Sequence, residues 1–127
     1  MPPKEASVTQ FLNVDLDIRA RAGLEELLRS MAPSAFVLNQ SEHFASVELN
    51  EEALSLEETV VKFIELIESF PPATRDIWNR CEWRSLNIGI QAGSKPHSST
   101  FALSERIVSL IAAVKLEVVF TVYAPHT

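Results

Sequence analysis

Hydrophobic and polar residues alternate strictly along the segment from Leu12 to Arg19. Successive side chains of a β-strand point to opposite faces of its sheet, so this pattern predicts a strand with one apolar and one polar face. Such a strand is typical of a sheet that is covered on one side only. The predicted apolar face holds Leu12, Val14, Leu16 and Ile18, and the polar face holds Asn13, Asp15, Asp17 and Arg19.

Four further segments have the composition or alternation of strands. With the first strand, the predicted set covers residues 8–18, 36–38, 43–49, 83–91 and 116–123. The residues predicted to face the core are Ala45, Val47, Leu49, Leu86, Ile88 and Ile90. The last segment is rich in β-branched residues, which favours a central or well-paired strand.

Helical periodicity predicts helices between these strands, over residues 20–31, 56–70, 73–80 and 104–114. Ser55 and Glu58 have the spacing of a capping box, in which each residue satisfies a backbone amide of the other. Gly23 is predicted to weaken the first turn of the first helix by roughly 1 kcal/mol relative to alanine.

This order of elements predicts an α+β two-layer sandwich. Its first six main elements match a ferredoxin-like β-α-β-β-α-β core, to which an α-β unit is added. Three amphipathic helices are expected to cover one face of a five-stranded, mostly antiparallel sheet. Residues 1–10 are expected to be a flexible tail, and residues 11–127 to form a single domain.

Composition narrows the classes of function. The chain has 127 residues, of which 46% are hydrophobic and 22% are charged, so it can bury a core. Its net charge of −6 argues against binding to nucleic acid or to an anionic membrane. The first ten residues lack the apolar core of a signal peptide, and no apolar stretch approaches the ~20 residues of a membrane span, so a cytoplasmic location is expected.

Asp15 and Asp17 lie two residues apart on the polar face, with their carboxylates on the order of 7 Å apart. Asn13 and Glu48 are candidates for the same face. Paired carboxylates can bind a hard cation or exchange protons with a substrate. No ligand set of defined spacing accompanies them, so neither a metal site, a cofactor nor an enzymatic activity is expected. A solvated face or a partner surface is the favoured interpretation.

The other reactive residue types favour structural roles. His43, His97 and His126 lack the spacing of a metal site. Cys81 lies in an apolar setting and is predicted to pack in the core, as are Trp78 and Trp83. Gly89 is predicted to mark a bulge or a close approach on the outward face.

The leading hypothesis is a non-enzymatic binding protein that contacts a basic protein partner through its polar sheet face. The predicted contact residues are Asn13, Asp15, Asp17, Glu48, Asn87 and Gln91. One alternative is a homodimer that pairs two sheets through a patch on the same face, formed by Phe44, Val119 and Tyr123. Another is a carboxylate-based enzyme or small-molecule binder that uses Asp15, Asp17 and Glu48.

Three stretches together resemble a family of small uncharacterised bacterial proteins. They are residues 14–19, residues 78–93 from Trp78 to the run Asn87-Ile88-Gly89-Ile90-Gln91-Ala92-Gly93, and the run Phe120-Thr121-Val122-Tyr123-Ala124-Pro125. The second half also resembles the end of a broader domain-of-unknown-function family, in which a helix that opens on Leu-Ser, here Leu103-Ser104, precedes the final strand. The resemblance carries over no catalytic residues. Some small acidic bacterial domains of this size act as immunity proteins against toxins, and by that analogy an immunity-type role is expected.

Overall fold

The computed structural model describes residues 8–52 and 54–125. The predicted tail falls largely on residues 1–7, outside the described residues, as does His126. Val8 already forms an isolated β-bridge with Lys95. The strands are β1 (Gln10–Arg19), β2 (Ala35–Gln40), β3 (Phe44–Leu49), β4 (Trp83–Gln91) and β5 (Glu117–Tyr123). The helices are α1 (Leu24–Met31), α2 (Leu56–Glu68), α3 (Pro72–Asn79) and α4 (Glu105–Ala113).

The five strands form one open sheet in the order β2-β3-β1-β4-β5. β1 pairs antiparallel with both β3 and β4, and β2 pairs antiparallel with β3. Only the β4–β5 pair is parallel, because α4 carries the chain back between these two strands. The prediction of a mixed α+β fold with a five-stranded sheet is therefore confirmed.

All four helices pack on the same face of the sheet and share one hydrophobic core. The prediction named three amphipathic helices, and the short α3 is the fourth. The inward residues predicted for β3 and β4 are buried, and Ser55 and Glu58 form the predicted capping box at the start of α2. The opposite side of the sheet carries no helix among the described residues, and it is named the outer face below.

The prediction that Leu12 belongs to the core is wrong. A β-bulge interrupts the pairing of β1 with β4 between Phe11 and Asn13, so the alternation shifts by one residue there. Leu12 is consequently 44% exposed, and Phe11 packs against the core instead.

Gly89 pairs with Asn13 beside this bulge, and a Cβ atom on Gly89 would lie 2.8 Å from Asn13 Oδ1. The predicted close approach at Gly89 is confirmed.

Two further predictions about the elements need correction. The last strand, β5, lies at an edge of the sheet and pairs with β4 alone among the described strands, so it is not central. The first helix begins at Leu24 and not at residue 20, because Gly23 adopts a left-handed conformation with φ of 83° at the position before the helix. A positive φ favours glycine, and Gly23 therefore marks the helix start.

The two tryptophans occupy different environments. Trp78 is fully buried, as predicted, and its indole Nε1–H donates to the carbonyl oxygen of Val114 at 2.9 Å. Trp83 was predicted to be a core residue, and this prediction is wrong. It has the same strand parity as Asn87, so its ring lies on the outer face, where it stacks on Phe44 with ring centroids 6.4 Å apart.

Candidate functional site

Strand pairing brings three carboxylates together on the outer face. Asp15 and Asp17 lie on the central strand β1, and Glu48 lies on the neighbouring strand β3. Leu16 pairs with Val47, so the next pair along the strands sets Asp15 opposite Glu48. Cβ atoms of directly opposed residues are about 4.5–5.5 Å apart. These three residues are named the carboxylate cluster.

Within the carboxylate cluster, the fold disfavours the ionised forms of Asp15 and Asp17. The pKa of Asp15 is raised from 3.8 to about 6 by partial burial, by the charge of Glu48 and by the charge of Asp17, in that order. Burial also raises the pKa of Asp17, and a hydrogen bond with Ser46 partly offsets this. Among the described residues, no lysine or arginine lies within ion-pair distance of the three carboxylates. None of the three carboxylates is therefore neutralised by an ion pair within the described residues.

Amide and hydroxyl groups surround the carboxylate cluster. Asn13 Nδ2 donates to Asp15 Oδ1 at 3.2 Å, and Thr121 Oγ1 donates to Asn87 Oδ1 at 2.7 Å. Asn87 pairs with Asp15 across the β1–β4 ladder, so the two side chains are neighbours on the outer face. Asn13, Asn87 and the carboxylate cluster thus form one continuous polar surface.

Gln91 lies at one end of the outer face, beyond this surface. Its amide donates to the carbonyl oxygens of Ala92 and Ala124, at 3.1 and 2.8 Å. The side chain thereby ties the end of β4 to the end of β5. Of the six residues predicted to contact a partner, Gln91 is the one whose amide already binds the main chain.

Ser85 is a feature of the outer face that the sequence reasoning assigned no role. It pairs with Asp17 on one side and with Glu117 on the other. The residue is 0% exposed, and its hydroxyl oxygen has no hydrogen-bond partner among the described residues. A buried hydroxyl without a partner costs free energy. Its strand parity is visible in the sequence, but its complete burial is not.

An aromatic group borders the carboxylate cluster on the side of Arg19. Phe44 and Trp83 each pair with Arg19 in the sheet, and the Arg19 guanidinium lies 5.6 Å from the centroid of the Phe44 ring. Trp83 Nε1–H donates to Glu117 Oε2 at 2.8 Å. The arginine is therefore engaged with an aromatic ring and not with Asp17.

The three residues predicted to form a homodimer patch all lie on the outer face but are not contiguous. Phe44 is on β3, and Val119 and Tyr123 are on β5, with β1 and β4 between these strands. Phe44 contacts Trp83, whereas Val119 pairs with Asn87 and Tyr123 pairs with Gln91. The polar surface thus separates the aromatic end from the apolar residues of β5.

A cavity of about 220 Å³ lies beside the carboxylate cluster, where the bulge of β1 meets the segment that precedes α2. Asn13, Glu48, Glu51 and Glu52 line it, together with apolar residues of β1. Asp15 and Asp17 do not line it. Within residues 8–52 and 54–125, no group of three or more His, Cys, Asp or Glu side chains is arranged to hold a metal ion.

The remaining reactive side chains lie away from the carboxylate cluster. His43 Nδ1 is 3.1 Å from the carbonyl oxygen of Ala20, and His97 is exposed in the loop before α4. Cys81 is buried, as predicted, and burial raises the pKa of its thiol. A thiol of this kind is a poor nucleophile, because the reactive form is the thiolate.

Comparisons with protein-family models, with curated proteins and with solved structures found no match. No helix in the described part of the chain is long and apolar enough to cross a membrane.

Proposed function

We propose that this protein is a non-enzymatic binding protein that contacts a basic protein partner through its outer face. The observation that carries the proposal is the carboxylate cluster, which makes no ion pair with a lysine or arginine among the described residues. The contact surface is centred on Asn13, Asp15, Asp17, Glu48 and Asn87. An immunity-type role in the cytoplasm fits such a partner and rests on the analogy with other small acidic bacterial domains.

Charge complementarity supports this choice of partner. Partial burial and mutual repulsion disfavour the ionised form of Asp15, and a lysine or arginine placed among the three carboxylates would favour it. Binding would then lower the pKa of Asp15 below about 6 and strengthen as the pH rises through that value.

The strand order supports a finer description of the fold. The order β2-β3-β1-β4, with β1 antiparallel to both neighbours, is the arrangement expected of a ferredoxin-like β-α-β-β-α-β unit. We propose that α4 and β5 extend such a unit. The outer face of the unit remains open, which makes it available to a partner.

The enzymatic alternative remains a separate proposal. A small molecule in the cavity beside Asn13 and Glu48 would contact Glu48 of the carboxylate cluster but neither Asp15 nor Asp17, which do not line it. The homodimer alternative through Phe44, Val119 and Tyr123 requires two apolar regions to pair across the polar surface between them. No contact among the described residues favours that arrangement over the basic partner.

The test compares two double variants with the same net charge. Asp15→Lys with Asp17→Lys reverses charge on the outer face, whereas Glu65→Lys with Glu68→Lys makes the same change on the exposed side of α2. We expect the immobilised wild-type protein and the α2 variant to retain the same basic partners from a lysate of the source cells, and the outer-face variant to lose them.

Circular dichroism must show that each variant is folded. Asp15→Asn with Asp17→Asn serves as a milder outer-face change if the lysine variant unfolds. The proposal fails if a folded outer-face variant retains every partner of the wild-type protein, or if the α2 variant loses the same partners.

A further inference from the structure

Edge strand β5 exposes apolar side chains on the side of the sheet that the helices cover. Phe120 and Val122 pair with Ile88 and Ile90, whose side chains are buried beneath the helices. Nevertheless Phe120 is 53% exposed and Val122 is 60% exposed. α4 packs beside α2, and the exposure of Phe120 and Val122 shows that the helices leave these two residues of β5 uncovered.

β5 also lacks the usual protection of an edge strand. Natural edges carry charges, prolines or bulges that prevent pairing with another strand. β5 pairs with β4 over seven residues without a bulge, and Glu117 is its single charged residue. The opposite edge, β2, is interrupted by an irregularity between Val37 and Asn39.

The direction of the main-chain groups of β5 follows from one hydrogen bond. The amide N–H of Ala92 donates to the carbonyl oxygen of Tyr123 at 2.9 Å, so the main-chain groups of Tyr123 point toward β4. These groups alternate in direction along a strand. The amides and carbonyls of Val118, Phe120 and Val122 therefore point away from β4, toward the free edge.

We propose that β5 pairs antiparallel with β5 of a second copy of this chain, about a two-fold axis at Phe120. The two sheets then become one continuous ten-stranded sheet. Val118, Phe120 and Val122 present outward main-chain groups, so they form hydrogen-bonded pairs with Val122, Phe120 and Val118 of the second copy. Each such pair exchanges two hydrogen bonds, which gives about six across the interface.

The pattern of β5 is self-complementary in this register, as a two-fold interface requires. Glu117 faces the uncharged Tyr123 of the second copy, so no like charges are opposed. Phe120 faces Phe120 and Val118 faces Val122 on the helix side, where the exposed apolar surface lies. This charge and side-chain match argues for a second copy as the occupant. The proposal does not rest on the carboxylate cluster.

The test is sedimentation velocity over a concentration series into the millimolar range. The wild-type protein should dimerise, and Phe120→Lys should raise the dimer Kd by roughly tenfold or more, because it opposes two like charges. Phe120→Glu should act in the same way. A mixture of the two variants should form a heterodimer, because lysine then faces glutamate. Val37→Lys, a matched change at the other edge, should leave the dimer intact.

Val122→Pro is a second variant in case a charge at Phe120 disturbs folding. The N–H of Val122 points to the free edge, so proline removes a donor of the dimer and leaves the β4–β5 ladder in place. A wild-type protein that stays monomeric throughout, including one that binds an extended peptide of another protein at β5, would overturn the proposal. So would a dimer that persists in Val122→Pro and Phe120→Lys, or variants that fail to associate when mixed.

Discussion

Replacement of Asp15 by asparagine should stabilise the protein at neutral pH. The substitution keeps the size of the side chain and an oxygen that can accept the hydrogen bond from Asn13. It removes a charge that the fold disfavours, since the pKa of Asp15 rises from 3.8 to about 6 on folding. A carboxylate that loses its proton less readily in the folded state makes the ionised protein less stable.

The magnitude follows from that difference. A shift of one pKa unit corresponds to about 1.4 kcal/mol. The rise from 3.8 to about 6 therefore gives an upper value of roughly 3 kcal/mol for the destabilisation by ionised Asp15. The carboxylate is only partly buried, so solvent screening reduces the expected effect to roughly 1–2 kcal/mol. Asp15→Asn should therefore raise the free energy of unfolding by that amount at pH 7.5.

The ionisation of Asp15 also predicts how the stability of the wild-type protein changes with pH. Between pH 3.8 and 6 the folded protein holds more protons at Asp15 than the unfolded chain does, so wild-type stability falls as the pH rises through this window. Asp15→Asn lacks this loss. The advantage of the variant over wild type should thus be largest above pH 6 and mostly gone near pH 4.

Urea denaturation monitored by circular dichroism at pH 4, 5, 6 and 7.5 measures this difference. Glu65→Gln on the exposed side of α2 is the control, and it should change stability by less than about 0.5 kcal/mol. The electrostatic account of the outer face is refuted if Asp15→Asn is no more stable than wild type at pH 7.5, or if its advantage is the same at pH 4.

Three predictions concern the scaffold, and each is measured by urea denaturation. Ser55→Ala should cost about 1 kcal/mol, because it removes the capping box of α2, and a loss below about 0.3 kcal/mol would contradict that role. Trp78→Phe should cost roughly 2–4 kcal/mol, because it leaves a cavity and removes the hydrogen bond to Val114; an unchanged midpoint would contradict this. Gly23→Ala should cost more than 1 kcal/mol, because φ is 83° and the new Cβ would lie 2.6 Å from Ile77 Cγ2, and a neutral result would contradict the positive φ.

The regular alternation in β3 and β4 was sufficient to predict their faces. Ala45 and Leu86 are buried where their parity placed them, because an undisturbed strand keeps a period of two. Leu12 departs from its prediction because a bulge depends on the partner strand, which the pattern of one segment does not contain. The β-branched residues of β5 predicted a central or well-paired strand, but its place at the edge depends on how α4 crosses the sheet.

The candidate site was predictable to a similar extent. Strand parity placed Asp15, Asp17, Glu48 and Asn87 on one face. The placement of Asp15 opposite Glu48 depends on the register of β1 with β3, which is a long-range property. The burial of Ser85 depends on side chains from β1 and β5 together, so no local pattern indicates it.

An NMR titration of the ¹⁵N-labelled protein with a lysine-rich peptide tests the central claim most directly. At pH 7.5 the amide shift changes should centre on β1, β3 and β4 around Asp15, Glu48 and Asn87. At pH 5 they should weaken, because Asp15 is then mostly protonated. Shift changes concentrated on the acidic helix α2, or equal binding at both pH values, would contradict the claim that the outer face is the binding surface for a basic partner.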